Sequence, residues 1–158
     1  MAVHDLTPPS TTHLNLERAA NLPEKLVDAM AKLEAAHMRG RYARNGRPFV
    51  EIVRFPGMLT AWKTSQDGTL AGFIMVSKLH ANTLVIWELH VAKPWRRQGL
   101  GTALINAAAQ DFGSGLQLEL NVHLKNTGAR KFYVMNGFEQ EKAGEGDTVL
   151  TLFRNPSS

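Results

Sequence analysis

Apolar residues recur at helical spacing after Pro23, at Leu26, Val27, Met30, Leu33 and then Ala36 or His37, until Gly40 interrupts them. That period predicts an amphipathic helix with proline in its first turn and glycine past its end. Residues 41–48 read as loop, and 49–55 alternates well enough to predict a strand ending at the Pro56-Gly57 turn. Two further strand-like runs, 59–65 and 70–77, flank Asp67-Gly68. This dipeptide is favoured where both central residues of a hairpin turn need positive φ, so a hairpin is predicted.

Residues 83–91 are rich in β-branched and apolar side chains and predict a central strand. A loop follows, and then Leu100, Leu104, Ala108 and Phe112 at four-residue steps predict a helix broken by Gly113-Ser114-Gly115. A second central strand is expected over 116–124, a short helix over 127–136 closed by Gly137, and a final hairpin from 138–141 and 148–153. The pattern is that of a mixed α/β chain with a largely antiparallel sheet. Residues 1–14, mixing Pro, Ser and Thr, read as a flexible lead-in to one domain over 15–158.

Composition narrows the chemistry. With 158 residues, 44% hydrophobic and 20% charged, the chain has enough apolar surface for one core. No apolar run approaches the roughly 20 residues that span a bilayer, and no leader-like segment opens the sequence, so a cytoplasmic protein without membrane partners is expected. The absence of cysteine removes thiolate nucleophiles and Cys-based zinc sites, and no His-Glu-x-x-His spacing occurs, so no metal is expected. The net charge of +4 is modest, but basic residues cluster at Arg39, Arg41, Arg44 and Arg47, at Lys93, Arg96 and Arg97, and at Lys125, Arg130 and Lys131. Such clusters suit phosphate, whether on a nucleic acid or on a cofactor, as well as a simple solvated face.

The segment Arg96-Arg97-Gln98-Gly99-Leu100-Gly101-Thr102 places two glycines and no acid where a loop becomes a helix. Free amides and the positive end of the helix dipole make such a start an anion site, with glycine allowing close approach. The dinucleotide fingerprint would need glycine at Leu104, and a phosphate-binding P-loop would need Gly-Lys-Ser/Thr; neither is present. Further on stands Asn126-Thr-Gly-Ala129-Arg-Lys-Phe132-Tyr133-Val-Met-Asn-Gly137-Phe138.

Together the two segments resemble the GCN5-related N-acetyltransferase (GNAT) family, whose signature is Arg/Gln-x-x-Gly-x-Gly/Ala after a central strand, then Asn-x-x-Ala-x-x-Phe-Tyr-x-x-x-Gly-Phe. The match runs over residues 89–138, whereas residues 1–55 show no clear counterpart of the family's first strand. The resemblance implies the GNAT fold: a mixed, mostly antiparallel sheet flanked by helices and splayed between its fourth and fifth strands, where acetyl-CoA lies as co-substrate. It further implies that Leu89 and Val91 offer backbone groups to the pantetheine arm and that the amides from Arg97 through Gln98, Gly99, Leu100 and Gly101 to Thr102 hold the pyrophosphate. Lys93, Arg96, Arg130 or Lys131 would take the ribose phosphate, and Asn126, Ala129 and Phe132 would line the arm. Asn126 also suits a helix N-cap.

Tyr133 matches the family tyrosine near the CoA sulfur, and a phenol there eases departure of the thiolate, although burying its ring is the alternative role. A primary ammonium needs about 4–5 kcal/mol to present its free amine at neutral pH, which favours a nearby base. Glu88 and His90, two apart on one strand, share a face and are candidates, with Glu119 and His123 on the second strand as others. Family members often carry an acid or histidine two or four residues before the position of Leu89, and those positions here are Trp87 and Val85. The expected function is transfer of acetyl to a primary amine of a small molecule or protein in a ternary complex. A weakly catalytic acyl-CoA-binding regulatory module is the alternative, a homodimer is compatible with either, and a nucleic-acid-binding protein using Arg39 to Arg47 lacks an accompanying aromatic ladder.

Overall fold

The computed structural model describes residues 16–38 and 49–156. The expected lead-in over 1–14, the loop over 41–48 and the basic run at Arg39 to Arg47 lie outside the described residues. In chain order the elements are β1 (Glu17–Ala19), α1 (Glu24–Met38), α2 (Phe49–Val53), β2 (Leu59–Thr64), β3 (Leu70–His80), β4 (Thr83–Val91), α3 (Leu100–Asp111), β5 (Gln117–His123), α4 (Thr127–Met135), β6 (Glu139–Gln140) and β7 (Val149–Arg154). The strands form one sheet in the order β1-β2-β3-β4-β5-β7-β6, antiparallel except where β4 runs parallel to β5.

β3 is buried on both faces, which explains its unbroken apolar run from Leu70 to Val76. Ile74 and Val76 face a core built with α3 through Leu100, Leu104 and Ala108, whereas Phe73 and Met75 face a second core built with α1 and α2 through Val27, Met30, Phe49 and Ile52. Burial of each such side chain contributes about 1.5–3 kcal/mol. Gly72 lets the first turn of α3 sit against the sheet. A Cβ there would stand 2.9 Å from the His90 carbonyl oxygen and 3.0 Å from Leu100 Cδ2.

Three expectations are corrected. The strand predicted over 49–55 is the short helix α2, in which Phe49, Ile52 and Val53 are the buried residues. Their spacing is helical, and contact with Phe73 and α1 decides the conformation over the local alternation. The first strand that residues 1–55 did not reveal is β1, three residues long and paired with Ala61 through Arg18. The Asp67-Gly68 hairpin forms, but only Gly68 has positive φ, at +88°. Asp67 stays on the negative side while its carboxylate accepts from the Thr69 amide at 3.0 Å and from the Ser65 hydroxyl.

α1 begins one residue after Pro23, as its period predicts, yet its buried stripe is Val27, Met30 and Glu34, with His37 half-buried one turn on. Leu33 lies at the margin. Two polar residues therefore continue an otherwise apolar stripe toward the C-terminal end of β4.

The parallel pairing of β4 with β5 is confined to Thr83↔Gln117, Leu84↔Leu118 and Val85↔Glu119. Immediately beyond, the β3–β4 register steps from Val76↔Ile86 to Met75↔Glu88 and leaves Trp87 unopposed. An extra residue of this kind bends its strand and ends pairing, so β4 and β5 part where the bulge lies.

Candidate active site

Where the strands part, backbone groups of β4 turn into the gap. Ala92 N–H donates to Ala71 O on β3 at 2.8 Å. Backbone groups alternate direction along a strand, so those of Val91 and Leu89 point away from β3 and into the opening. Arg96 Nε meets the Val91 carbonyl there at 3.2 Å.

The opening ends at the N-terminus of α3. The first α3 bond crossing the helix start is Ala103 N–H to Gly99 O at 2.9 Å, which leaves the amides of Leu100, Gly101 and Thr102 without an intrahelical acceptor. Gly99 is the N-cap with φ +82°, and Arg97, two residues earlier, also has positive φ at +63°. For a residue with a Cβ that conformation costs about 1 kcal/mol or more, and such strain gathers at ligand-holding turns. Gln98 Nε2 steadies the turn by donating to Pro94 O at 2.9 Å. A side chain at Gly101 would bring its Cβ within 2.8 Å of Phe132 Cζ, so this glycine admits the ring of α4 against α3. The turn thus combines free helix-start amides with tight packing, and its residue types fit a pyrophosphate.

α4 supplies the opposite side. Asn126 caps it, its Oδ1 accepting from the Ala129 amide at 3.2 Å, and Ala129 and Phe132 pack partly buried against the α3-side core. Tyr133 stacks edge-to-face between Phe132 and Phe138, with centroids 5.4 Å from each. Burial of the ring, followed by the negative charge of Glu88, pushes the phenol above its ordinary range. It therefore stays protonated near neutral pH.

Glu88 and His90 do share a face, as their spacing predicts, and are 7% and 8% exposed. His90 Nε2 lies 2.6 Å from Glu88 Oε2. Glu119 sits elsewhere, beside Val85 where β4 and β5 are still paired, and His123 Nδ1 accepts from the Lys125 amide at 3.1 Å in the turn after β5. Of the cations considered for a ribose phosphate, Arg96 reaches inward to Val91, and Arg130 donates to Leu124 O and Gln140 Oε1 at 3.1 and 3.3 Å. Lys93 and Lys131 are exposed at the two sides.

One participant is not singled out by the sequence. His37 of α1 places Nδ1 2.9 Å from His90 Nδ1, and its Nε2 2.7 Å from an Arg96 nitrogen. The available signal was Glu34 with His37 on the buried stripe of α1, because polar residues on an apolar face require partners. Burial, His90 and Arg96 together lower its pKa from 6.5 to about 4.

Comparison with known proteins agrees with this architecture. A family model described as "Acetyltransferase (GNAT) family" matches residues 27–138. An acetyltransferase of the GNAT family from Staphylococcus aureus Mu50 superposes with a TM-score of 0.71 at 15% identity, covering 90% of this chain and 99% of that one. An aminoglycoside 6'-N-acetyltransferase complexed with coenzyme A gives 0.69 at 16% identity, over 89% and 96%. A nourseothricin acetyltransferase is 30% identical over 65% of this chain and 67% of its own, with a TM-score of 0.55. No curated protein sequence matches the chain.

Proposed function

This chain belongs to the acetyltransferase (GNAT) family, and from that premise we propose that it moves the acetyl group of acetyl-CoA to a primary amine by direct attack within a ternary complex. The observation that carries the reading is that backbone groups of Leu89 and Val91 turn away from β3 at the opening, which ends at the free amides of Leu100 to Thr102, with Tyr133 near enough to feel the Glu88 charge. Acetyl-CoA, when bound, supplies a thioester whose carbonyl carbon accepts a nucleophile. The chain's residues do the rest.

The amides of α3, with Arg97 and Gly99 shaping the turn, hold the pyrophosphate. Glu88, hydrogen-bonded to His90, takes a proton from the incoming ammonium, directly or through water. The Val91 amide, directed into the opening, donates to the carbonyl oxygen as it gains charge. As the nitrogen–carbon bond forms and the carbon–sulfur bond breaks, the Tyr133 phenol hydrogen-bonds the departing sulfur, the second proton shed by the nitrogen ends on that sulfur, and the phenol finishes the step protonated. Asn126 serves both as α4 cap and as a neighbour of the pantetheine arm, with Ala129 and Phe132 as its apolar wall.

Incubation with acetyl-CoA and a panel of amines, read by thiol release and product mass, tests this function. Nourseothricin heads the panel because the solved structure 30% identical to this chain is a nourseothricin acetyltransferase; polyamines, amino acids and peptide amines follow. The second reading, an acyl-CoA-binding regulatory module, draws on Val85 and Trp87 standing where family members often place an acid or histidine. Binding of acetyl-CoA without thiol release from any amine would favour it.

A further inference from the structure

Four polar side chains from three parts of the fold form one row. Arg96 Nη2 lies 2.7 Å from His37 Nε2, the Nδ1 atoms of His37 and His90 are 2.9 Å apart, and His90 Nε2 is 2.6 Å from Glu88 Oε2. The row runs from the turn before α3, across the end of α1, to the acid on β4. A guanidinium only donates, so its direction fixes every other hydrogen. His37 accepts at Nε2 and carries its proton at Nδ1. His90 accepts at Nδ1 and carries its proton at Nε2, which it gives to Glu88. No other placement of hydrogens keeps all three bonds.

We propose that His37 is a positioning residue for acyl transfer, holding His90 in the tautomer that orients Glu88 and linking that acid to Arg96 beside the anion-holding turn. The proposal rests on the reading of Glu88 as the group that takes the amine's proton. Adding a proton to His90 would set two N–H groups face to face across 2.9 Å. A proton added there would cost the row its bond to His37 and set a positive charge beside Glu88, weakening it as a base. The other groups around the row are Glu34, buried one turn earlier on α1, Tyr133 from α4, whose phenol feels the Glu88 charge, and the ring of Phe73 on β3, 5.3 Å from His90. The Arg96 end opens to solvent.

Two substitutions separate positioning from packing. His37→Leu fills space but neither donates nor accepts. The amide of His37→Gln donates to His90 with its nitrogen and accepts from Arg96 with its oxygen, without taking up a proton itself. The leucine variant is expected to lose about five- to tenfold in kcat/KM, the effect of one hydrogen bond, and to shift the acidic limb of the pH profile to higher pH. The glutamine variant is expected to restore both. In wild-type protein labelled with nitrogen-15, long-range proton–nitrogen NMR at neutral pH should show protonated Nδ1 in His37 and protonated Nε2 in His90. The opposite tautomers would overturn the row itself, whether or not either variant folds. The stated tautomers with an unmoved pH limb in His37→Leu, or equal losses in the two variants, would overturn its role in positioning while leaving acyl transfer intact. Acetyl-CoA binding without turnover on any amine would instead remove the premise, and the role of His37 with it.

Discussion

The two sides of the opening are encoded differently. On the α3–α4 side the functional geometry is backbone geometry: positive φ at Arg97 and Gly99, free amides at Leu100 to Thr102, and a cap from Asn126 to Ala129. Each depends on residues a few positions apart, so each leaves a spacing in the sequence. On the α1 side the geometry is a side-chain row joining His37 to His90 and Arg96, 53 and 59 positions away. Nothing local requires it. Backbone-built sites are written as motifs, whereas sites built from side chains on separate elements exist only once the sheet has brought those elements together.

The strongest way to break this contrast is to attack the backbone side. Gly101→Glu puts a side chain against Phe132 and a negative charge among the free amides that start α3, and Gly99→Glu adds charge at a left-handed position. A ligand at a hundred times its dissociation constant stabilises a fold by about 2.7 kcal/mol, or several degrees in Tm for a domain of this size. Wild type is expected to show that rise with acetyl-CoA. Both variants, checked for folding by circular dichroism, are expected to show none. A retained rise would mean that the α3 turn is a packing feature alone.

Tyr133→Phe tests the one side chain of the backbone side to which the proposed mechanism gives a chemical role. The ring contacts with Phe132 and Phe138 survive, but the phenolic donor is lost. Turnover should fall about tenfold or more with little change in KM for acetyl-CoA. An unchanged kcat with chemistry rate-limiting would return Tyr133 to packing.

Glu88→Gln moves the test to where the two sides meet. The substitution keeps an acceptor for His90 Nε2–H and removes proton uptake. Turnover should fall several-fold near pH 6.5 and recover toward pH 9, where more of the amine is free by itself. A pH–rate profile superimposable on wild type would leave Glu88 as a partner of His90 only.

The fold was legible to the extent that its rules are local or periodic. The ends of β4, the α3 helix after Gly99, the α4 stop at Gly137 and the shared face of Glu88 and His90 follow from period, cap and alternation. The helix at Phe49–Val53 was not legible, because five residues carry too little period and Phe73 settles their conformation from across the core. β1 escaped for a related reason: three residues with exposed side chains at Glu17 and Arg18 gain their strand form from pairing with β2. The Trp87 bulge, which opens the site, leaves no mark in a run that reads as continuous strand.

The smallest effect probes the side-chain row through stability. The folded environment lowers the pKa of His37 to about 4, whereas the unfolded chain holds it near 6.5. Between these values the unfolded state binds the extra proton, so this ring makes the fold less stable as pH falls from 6.5 toward 4 and has no pH-dependent effect above that window. His37→Gln removes the titration and keeps the hydrogen-bonding pattern. Between pH 7 and pH 4.5 the Tm of wild type should therefore drop further than that of the variant, by about 2 °C, a difference held down by the solvent reaching the half-buried ring. Every other titratable group is common to both proteins and cancels in the comparison. Parallel curves would mean that the His37 ring takes up its proton freely in the folded state, which a nitrogen held by Arg96 and another bonded to His90 do not allow; the α1 side would then be only a wall of the opening.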